Sequence, residues 1–203
     1  MTRGGTDSYS DLAGLPPPVA AAVRVAREAG FGFSCLPEQG RLLQVLAGGV
    51  GAGVIGETGT GCGVGLGWLA SAAHPQARLI SVERDPQRAA LAAAVFAGDP
   101  RVRVRCADWR SLAADAPFDL LVLDGGGQGK GDEPPADPGV WLSPGALVVV
   151  DDFTPATTWP PRHGDGLDTA RMYWLEHPQL RTTEVRVTPT AATLVGSRRH
   201  PVD

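Results

Sequence analysis

Five acids in this chain stand at the ends of apolar runs or just past them: Glu57, Glu83, Asp108, Asp124 and Asp151, with Asp152 next to the last. Carboxylates can accept hydrogen bonds from sugar hydroxyls, hold a cation, or cap a helix. Capping explains any one of them. It does not explain a chain that returns an acid to the same kind of position five times. Three of the acids, Asp124, Asp151 and Asp152, would repel one another if brought together, unless a cation sat among them. The richest stretch lies earlier, at Gly53-Val54-Ile55-Gly56-Glu57-Thr58-Gly59-Thr60-Gly61-Cys62-Gly63. It reads as a buried strand entering a glycine-rich turn. Glycines there let the backbone turn sharply and approach a ligand closely. One strand–helix–strand unit later, Leu79-Ile80-Ser81-Val82 ends in Glu83. An acid at that place can accept from both hydroxyls of a ribose, so the two features together describe a pocket for an adenosine-containing cofactor.

The loop spacing narrows the cofactor. A dinucleotide fold wants Gly-x-Gly-x-x-Gly between strand and helix, and Gly59 to Gly67 lacks it. The literal match at Gly51, Gly53 and Gly56 falls before and inside the strand. A phosphate-binding Walker loop also fails. Gly129-Lys130 is followed by Gly131, and Asp124 stands where the first glycine belongs. S-adenosylmethionine (SAM), with an amino acid where dinucleotides carry pyrophosphate, is the best remaining cofactor.

The elements that must position these residues read as a single α/β domain over 1–203, long enough for a sizeable core. With 43% hydrophobic and 20% charged residues and a net charge of −4, the chain gives no electrostatic case for nucleic acid or an anionic membrane. Three scattered cysteines suggest reduced thiols and a cytoplasmic protein. No apolar run reaches membrane-spanning length, and no signal-like core is apparent. Residues 1–11 are small and polar and are expected to fray.

Pro16-Pro17-Pro18 starts a helix that Gly30 ends, and a second helix follows Pro37; these form an N-terminal layer over 12–50. Strands are expected at about 53–57, 78–83, 102–106, 118–124 and 146–151, alternating with helices at about 63–73, 86–97 and a short one after Asp108. The stretch 125–139, rich in Gly, Pro and Asp, reads as a mobile loop. A helix at about 165–177 and alternating strands at 181–188 and 191–198 complete a doubly wound, mostly parallel, seven-stranded Rossmann-like sheet with a C-terminal β-hairpin.

Over roughly Cys35 to Arg199 the sequence resembles class I SAM-dependent O-methyltransferases of the catechol and caffeoyl-coenzyme A type. The matching pieces are Pro37-Glu38-Gln39-Gly40-x-Leu42-Leu43, the loop Glu57–Gly63, Ser81-Val82-Glu83-x-Asp85-Pro86, Ala107-Asp108, Phe118-Asp119-Leu120-x-x-x-Asp124, and Pro144 through Asp152. The resemblance implies that Glu83 holds the ribose and that Ala107 and Asp108 meet the adenine edge. Glu57 and the loop amides of Gly59 and Gly61 face the methionine part. The expected cofactor set is therefore Glu57, Gly59, Thr60, Gly61, Gly63, Gly65, Glu83, Arg84, Ala107, Asp108, Trp109 and Asp124. By the same resemblance Asp124, Asp151 and Asp152 hold a divalent metal, usually Mg²⁺, which would acidify a coordinated hydroxyl of a small, aromatic acceptor and aim it at the sulfonium methyl. Relatives of this type often pair as homodimers.

Three positions depart from the family pattern. Asp152 replaces the usual Asn. Gly125-Gly126-Gly127 follows the first metal Asp where a basic lysine is common, leaving Lys130 or His163 to act beside Asp124 in catalysis. Gly65 replaces a Ser or Thr that would touch the methionine carboxylate. The departures keep three other readings open: a SAM-binding protein without catalysis, a methyltransferase acting on another nucleophile, or one working without metal. An NAD-dependent oxidoreductase is disfavoured by the glycine spacing. Of the aromatics, Trp68 reads as core and Tyr173 and Trp174 as helix packing. Trp109 reads as core or adenine contact, and Trp141 and Trp159 as acceptor-site or packing residues. Cys62 reads as a small filler.

Overall fold

The structure is a computed structural model that describes residues 4–201. Two helices come first, α1 (Pro17–Glu28) and α2 (Pro37–Gly48), each with proline in its first turn, where the missing N–H costs nothing. β1 (Val54–Thr58), α3 (Val64–Ala72), β2 (Arg78–Glu83), α4 (Pro86–Val95) and β3 (Val102–Cys106) follow. A 3-10 turn spans Trp109–Asp115 before β4 (Phe118–Leu123), a short α5 (Pro138–Trp141) and β5 (Leu142–Phe153). The small strands β6 (Arg162–His163) and β7 (Gly166–Leu167) precede α6 (Thr169–Glu176), β8 (Leu180–Arg186) and β9 (Ala192–Arg198).

The main sheet has seven strands in the order β3-β2-β1-β4-β5-β9-β8. All neighbours are parallel except β9, which runs antiparallel to both β5 and β8. The chain leaves β1 in one direction and returns on its other side at β4. In such sheets a crevice opens where the order reverses, beyond the carboxyl ends of the strands. The central strands are buried on both faces, which is why they read as unbroken apolar runs. Leu120, Val122 and Val149 pack toward α1 and α3, while Leu121, Leu123, Val148 and Val150 pack toward Trp109, Trp141 and Trp174 on the opposite face.

Three expectations need correction. Residues 1–3 of the segment expected to fray lie outside the described residues. Residues 4–11 are anchored, because Tyr9 is a buried aromatic with a partner at each end of its hydroxyl. Its Oη donates to the Cys35 carbonyl at 3.0 Å and accepts from Trp68 Nε1 at 3.0 Å. Thr6 Oγ1 donates to the Phe31 carbonyl at 2.6 Å. The stretch 125–139 is pinned: the Gln128 side-chain amide donates to the carbonyls of Leu123 and Asp151, and the Gln128 main-chain carbonyl accepts from Trp174 Nε1. The last helix starts at Thr169 and not near 165, because Gly164 (φ 58°) turns residues 162–167 into a hairpin and Asp168 caps the helix through the Arg171 N–H. Trp68 is core as expected. Gly40 allows this, since a Cβ there would lie 2.1 Å from the Trp68 indole nitrogen.

Candidate active site

A cavity of about 610 Å³ opens at the carboxyl ends of β1, β2, β3 and β4. Its floor is the turn after β1. Gly59 (φ 82°) and Gly61 (φ 54°) take left-handed conformations that favour glycine. The Gly59 N–H donates to the Val82 carbonyl, and the Gly61 N–H donates to Glu83 Oε2 at 2.8 Å. Gly59 also meets Gly125 across the β1/β4 switch point: a Cβ on Gly59 would lie 2.6 Å from the Gly125 backbone. Gly125, which follows Asp124 where the resembled family often has a lysine, is required by this close approach, since its own Cβ would lie 2.4 Å from the Gly59 Cα.

Glu83 is held on three sides, by the N–H groups of Gly61 and Asp85 and by Arg88 Nη2 at 2.9 Å. A carboxylate accepts about four hydrogen bonds. Capacity remains for a sugar hydroxyl, and the orientation of the group is already fixed. Glu57 sits beside Ser81 in the β1/β2 register and accepts from its hydroxyl at 2.5 Å; Thr60 Oγ1 is 2.5 Å from the same hydroxyl. Burial pushes the Glu57 carboxyl up to about 7, against the Ser81 hydrogen bond that favours the charged form. Glu57 Oε1 lies 2.7 Å from where a Gly65 Cβ would be. Gly65 therefore leaves room for the Glu57 carboxylate where relatives carry Ser or Thr.

The far wall is acidic. Asp124, Asp151 and Asp152 each offer a carboxylate oxygen, and the three oxygens lie within 4.8 Å of one another. Burial, then repulsion from Asp151 and Asp152, holds the Asp124 carboxyl well above the usual range. Burial, then Asp152, pushes Asp151 up to about 7. Asp152 has φ 64°, a conformation that Asn and Asp tolerate better than most residues. The same requirement is met by the Asn that the family usually has there. An all-oxygen, negatively charged set at this spacing fits a hard divalent cation such as Mg²⁺ or Ca²⁺. Lys130 Nζ donates to the main-chain carbonyls of Asp151 (2.6 Å) and Asp152 (2.8 Å), and burial lowers its pKa.

Of the expected residues, Glu57, Gly59, Thr60, Gly61, Gly65, Glu83, Arg84, Ala107, Asp108, Trp109, Asp124, Lys130 and Asp152 line the cavity. Asp151 joins through the carboxylate cluster. Gly63 does not line it; it caps α3 at φ 93° and faces Phe96. His163 is exposed on β6, outside the cavity wall, because the hairpin carries it away from the sheet edge. Trp141 stacks on Phe118 in the core, and Trp159 is 70% exposed, so neither lines the cavity. Asp108 caps the 3-10 turn through the Arg110 N–H. Trp109 packs over Gly126 and Gly127, where any Cβ would strike its ring, and donates to Glu133 at 2.5 Å.

Several wall residues were missed. Phe31, Phe33, Ser34 and Cys35 come from the segment after α1, where an aromatic pair directly past the Gly30 helix end was a readable signal. Arg88, Gln128 and Glu133 carried no motif. Cys62, expected as filler, is buried in the wall.

A sheet of this order with an acid-tipped, glycine-lined crevice at the β1/β4 switch defines a Rossmann-like methyltransferase domain. The comparisons agree. Residues 57–153 match the family model described as a methyltransferase domain. The chain is 33% identical over 163 residues to catechol O-methyltransferase of Niastella koreensis, covering 72% of this chain and 71% of that protein. It is 30% identical over 146 residues to the protein named "Probable O-methyltransferase Rv1220c" of Mycobacterium tuberculosis, 59% of this chain and 65% of that protein. The match thus spans somewhat less than two thirds of the mycobacterial relatives' length. The crystal structure of cofactor-bound Rv0187 from MTB superposes with a TM-score of 0.75 at 25% identity, covering 99% of both chains. The chain belongs to the SAM-dependent O-methyltransferases of the catechol/caffeoyl-CoA type.

Proposed function

We propose that this protein transfers the methyl group of SAM to a hydroxyl of a small, aromatic acceptor, assisted by a divalent metal. The observation that carries the reading is the convergence of Asp124, Asp151 and Asp152 beside a cavity whose other wall holds Glu57 and Glu83. Glu83, fixed by Gly61, Asp85 and Arg88, takes a ribose hydroxyl with its remaining acceptor position. Glu57 and Gly65 border the amino-acid end; the loop amides expected there are already engaged, those of Gly59 and Thr60 by the Val82 carbonyl and that of Gly61 by Glu83. Arg84, Ala107, Asp108 and Trp109 border the adenine. The N-terminal wall, Phe31 to Cys35, excludes water from the sulfonium.

Asp124, Asp151 and Asp152 would hold the metal, which supplies Lewis acidity that favours the ionised acceptor hydroxyl. Without an ion, burial and mutual repulsion hold the Asp124 and Asp151 carboxyls above the usual range; as ligands they would be ionised, and the proton that the hydroxyl loses would pass to solvent. Lys130 places positive charge behind them. His163 has no part in this reading. A screen of phenols and catechols for methyl transfer, with and without EDTA, tests it. Transfer to a thiol or amine only, or to nothing despite tight S-adenosylhomocysteine (SAH) binding, would overturn the O-methyl assignment.

The protein works in the cytoplasm, consistent with three free cysteines, and as a homodimer. No helix among the described residues is long and apolar enough to cross a membrane. The exposed Val45 on α2 supports the dimer, and a monomer by light scattering at micromolar concentration would exclude it.

A further inference from the structure

We propose that Lys130 is a tethered counter-cation of the Asp124–Asp151–Asp152 cluster, and that its charge weakens divalent-ion binding there. The inference rests on reading that cluster as a cation site. The Lys130 ammonium donates to the carbonyl oxygens of Asp151 and Asp152 at 2.6 and 2.8 Å. It also stands 4.1 Å from the centre of the Phe153 ring. Two carbonyls and a ring face make a cage for one compact cation. Three consecutive residues build this cage, and two of them also supply carboxylates to the cluster. The turn is shaped accordingly: Asp152, the non-glycine residue with positive φ among the described residues, lets successive carbonyls reach one ammonium.

Composition sharpens the point. Seventeen of the 18 Lys and Arg residues are arginine, and Lys130 is the one lysine. A guanidinium is a flat fork of five donors, whereas an ammonium is a point charge with three. The cage fits the second shape. A chain that uses arginine everywhere else keeps lysine where the space is small and the neighbours are carbonyls.

The consequence is electrostatic. Without a divalent ion, the ammonium offsets part of the negative charge that three carboxylates bring together. With one, a second cation joins the ammonium, whose charge already interacts with all three carboxylates and which its cage holds in place. Charges this close inside a protein interact strongly. The incoming ion binds more weakly than the carboxylate count alone would give.

The test titrates MnCl₂ and MgCl₂ by calorimetry into the full chain and into three variants. Lys130→Gln keeps an N–H donor for the carbonyls and removes the charge. Lys130→Met removes both at similar length. Lys130→Arg keeps the charge. The expected result is Mn²⁺ binding about tenfold tighter or more in the Gln and Met variants, with Arg close to wild type. SAH binding verifies that each variant is folded. Equal or weaker binding in a folded neutral variant overturns the inference. If Asp151→Asn abolishes wild-type Mn²⁺ binding while the neutral variants show no gain, this inference fails and the metal reading stands. Absence of binding to any of the proteins at millimolar ion overturns both.

Discussion

Glu83 and Glu57 differ in what surrounds them more than in type. Glu83 is oriented by the Gly61 and Asp85 N–H groups and by Arg88. Glu83→Ala removes the acceptor for the Gly61 N–H as well as the proposed ribose contact. Hydrogen bonds to charged groups contribute about 1.5–3 kcal/mol, so SAH affinity should fall roughly ten- to a hundredfold by calorimetry. An affinity within about twofold of wild type would remove Glu83 from the cofactor site. Glu57 carries a pH signature instead. Its folded pKa of about 7 exceeds the ordinary 4.5, so between those values the folded protein binds more protons than the unfolded chain. Apo stability should therefore fall as pH rises from about 4.5 to 7, and Glu57→Gln should flatten that part of the profile. Thermal melts across this range check it; an unchanged slope in the Gln variant means Glu57 is ionised throughout.

The elements matter through two close approaches. β1 and β4 bring Gly59 against Gly125, and α2 brings Gly40 against Trp68. Gly59→Ala would force a left-handed φ and a clash with backbone that has no room to yield. A cost of about 1–3 kcal/mol is expected, seen as a Tm lowered by roughly 2–12 °C, together with lost SAH binding. Gly131→Ala, also at positive φ but with open space around it, should cost less and spare binding. Equal effects at the two positions would contradict the account. The alternation of apolar runs with helices was legible because parallel strands buried on both faces announce themselves. The acids at strand ends were legible for the same reason, since each run stops where the sheet does. Tyr9 was not legible. A lone aromatic in a polar stretch gives no period, and its anchoring depends on Cys35 and Trp68, which are distant in sequence. Gln128 was hidden similarly, because an amide in a Gly/Pro loop reveals nothing of the carbonyls it will bridge. His163 was misplaced because the Gly164 turn and its two-residue strands are too short for any pattern.

At the scale of the whole molecule, the sheet order brings two chemistries to one crevice. The β1–β2–β3 side presents Glu57, Glu83 and Asp108, and the β4–β5 side presents the carboxylate cluster with Lys130 behind it. Methyl transfer needs both sides at once, a held donor and an activated oxygen in line with it. The most direct test is methyl transfer from SAM to a catechol, measured on wild type and Asp151→Ala, each with excess Mg²⁺ and with EDTA. The account predicts turnover in wild type that EDTA abolishes and Mg²⁺ restores. It predicts no turnover in Asp151→Ala, with SAH affinity within about threefold of wild type. Full activity in EDTA, or an Asp151→Ala enzyme as active as wild type, would contradict it.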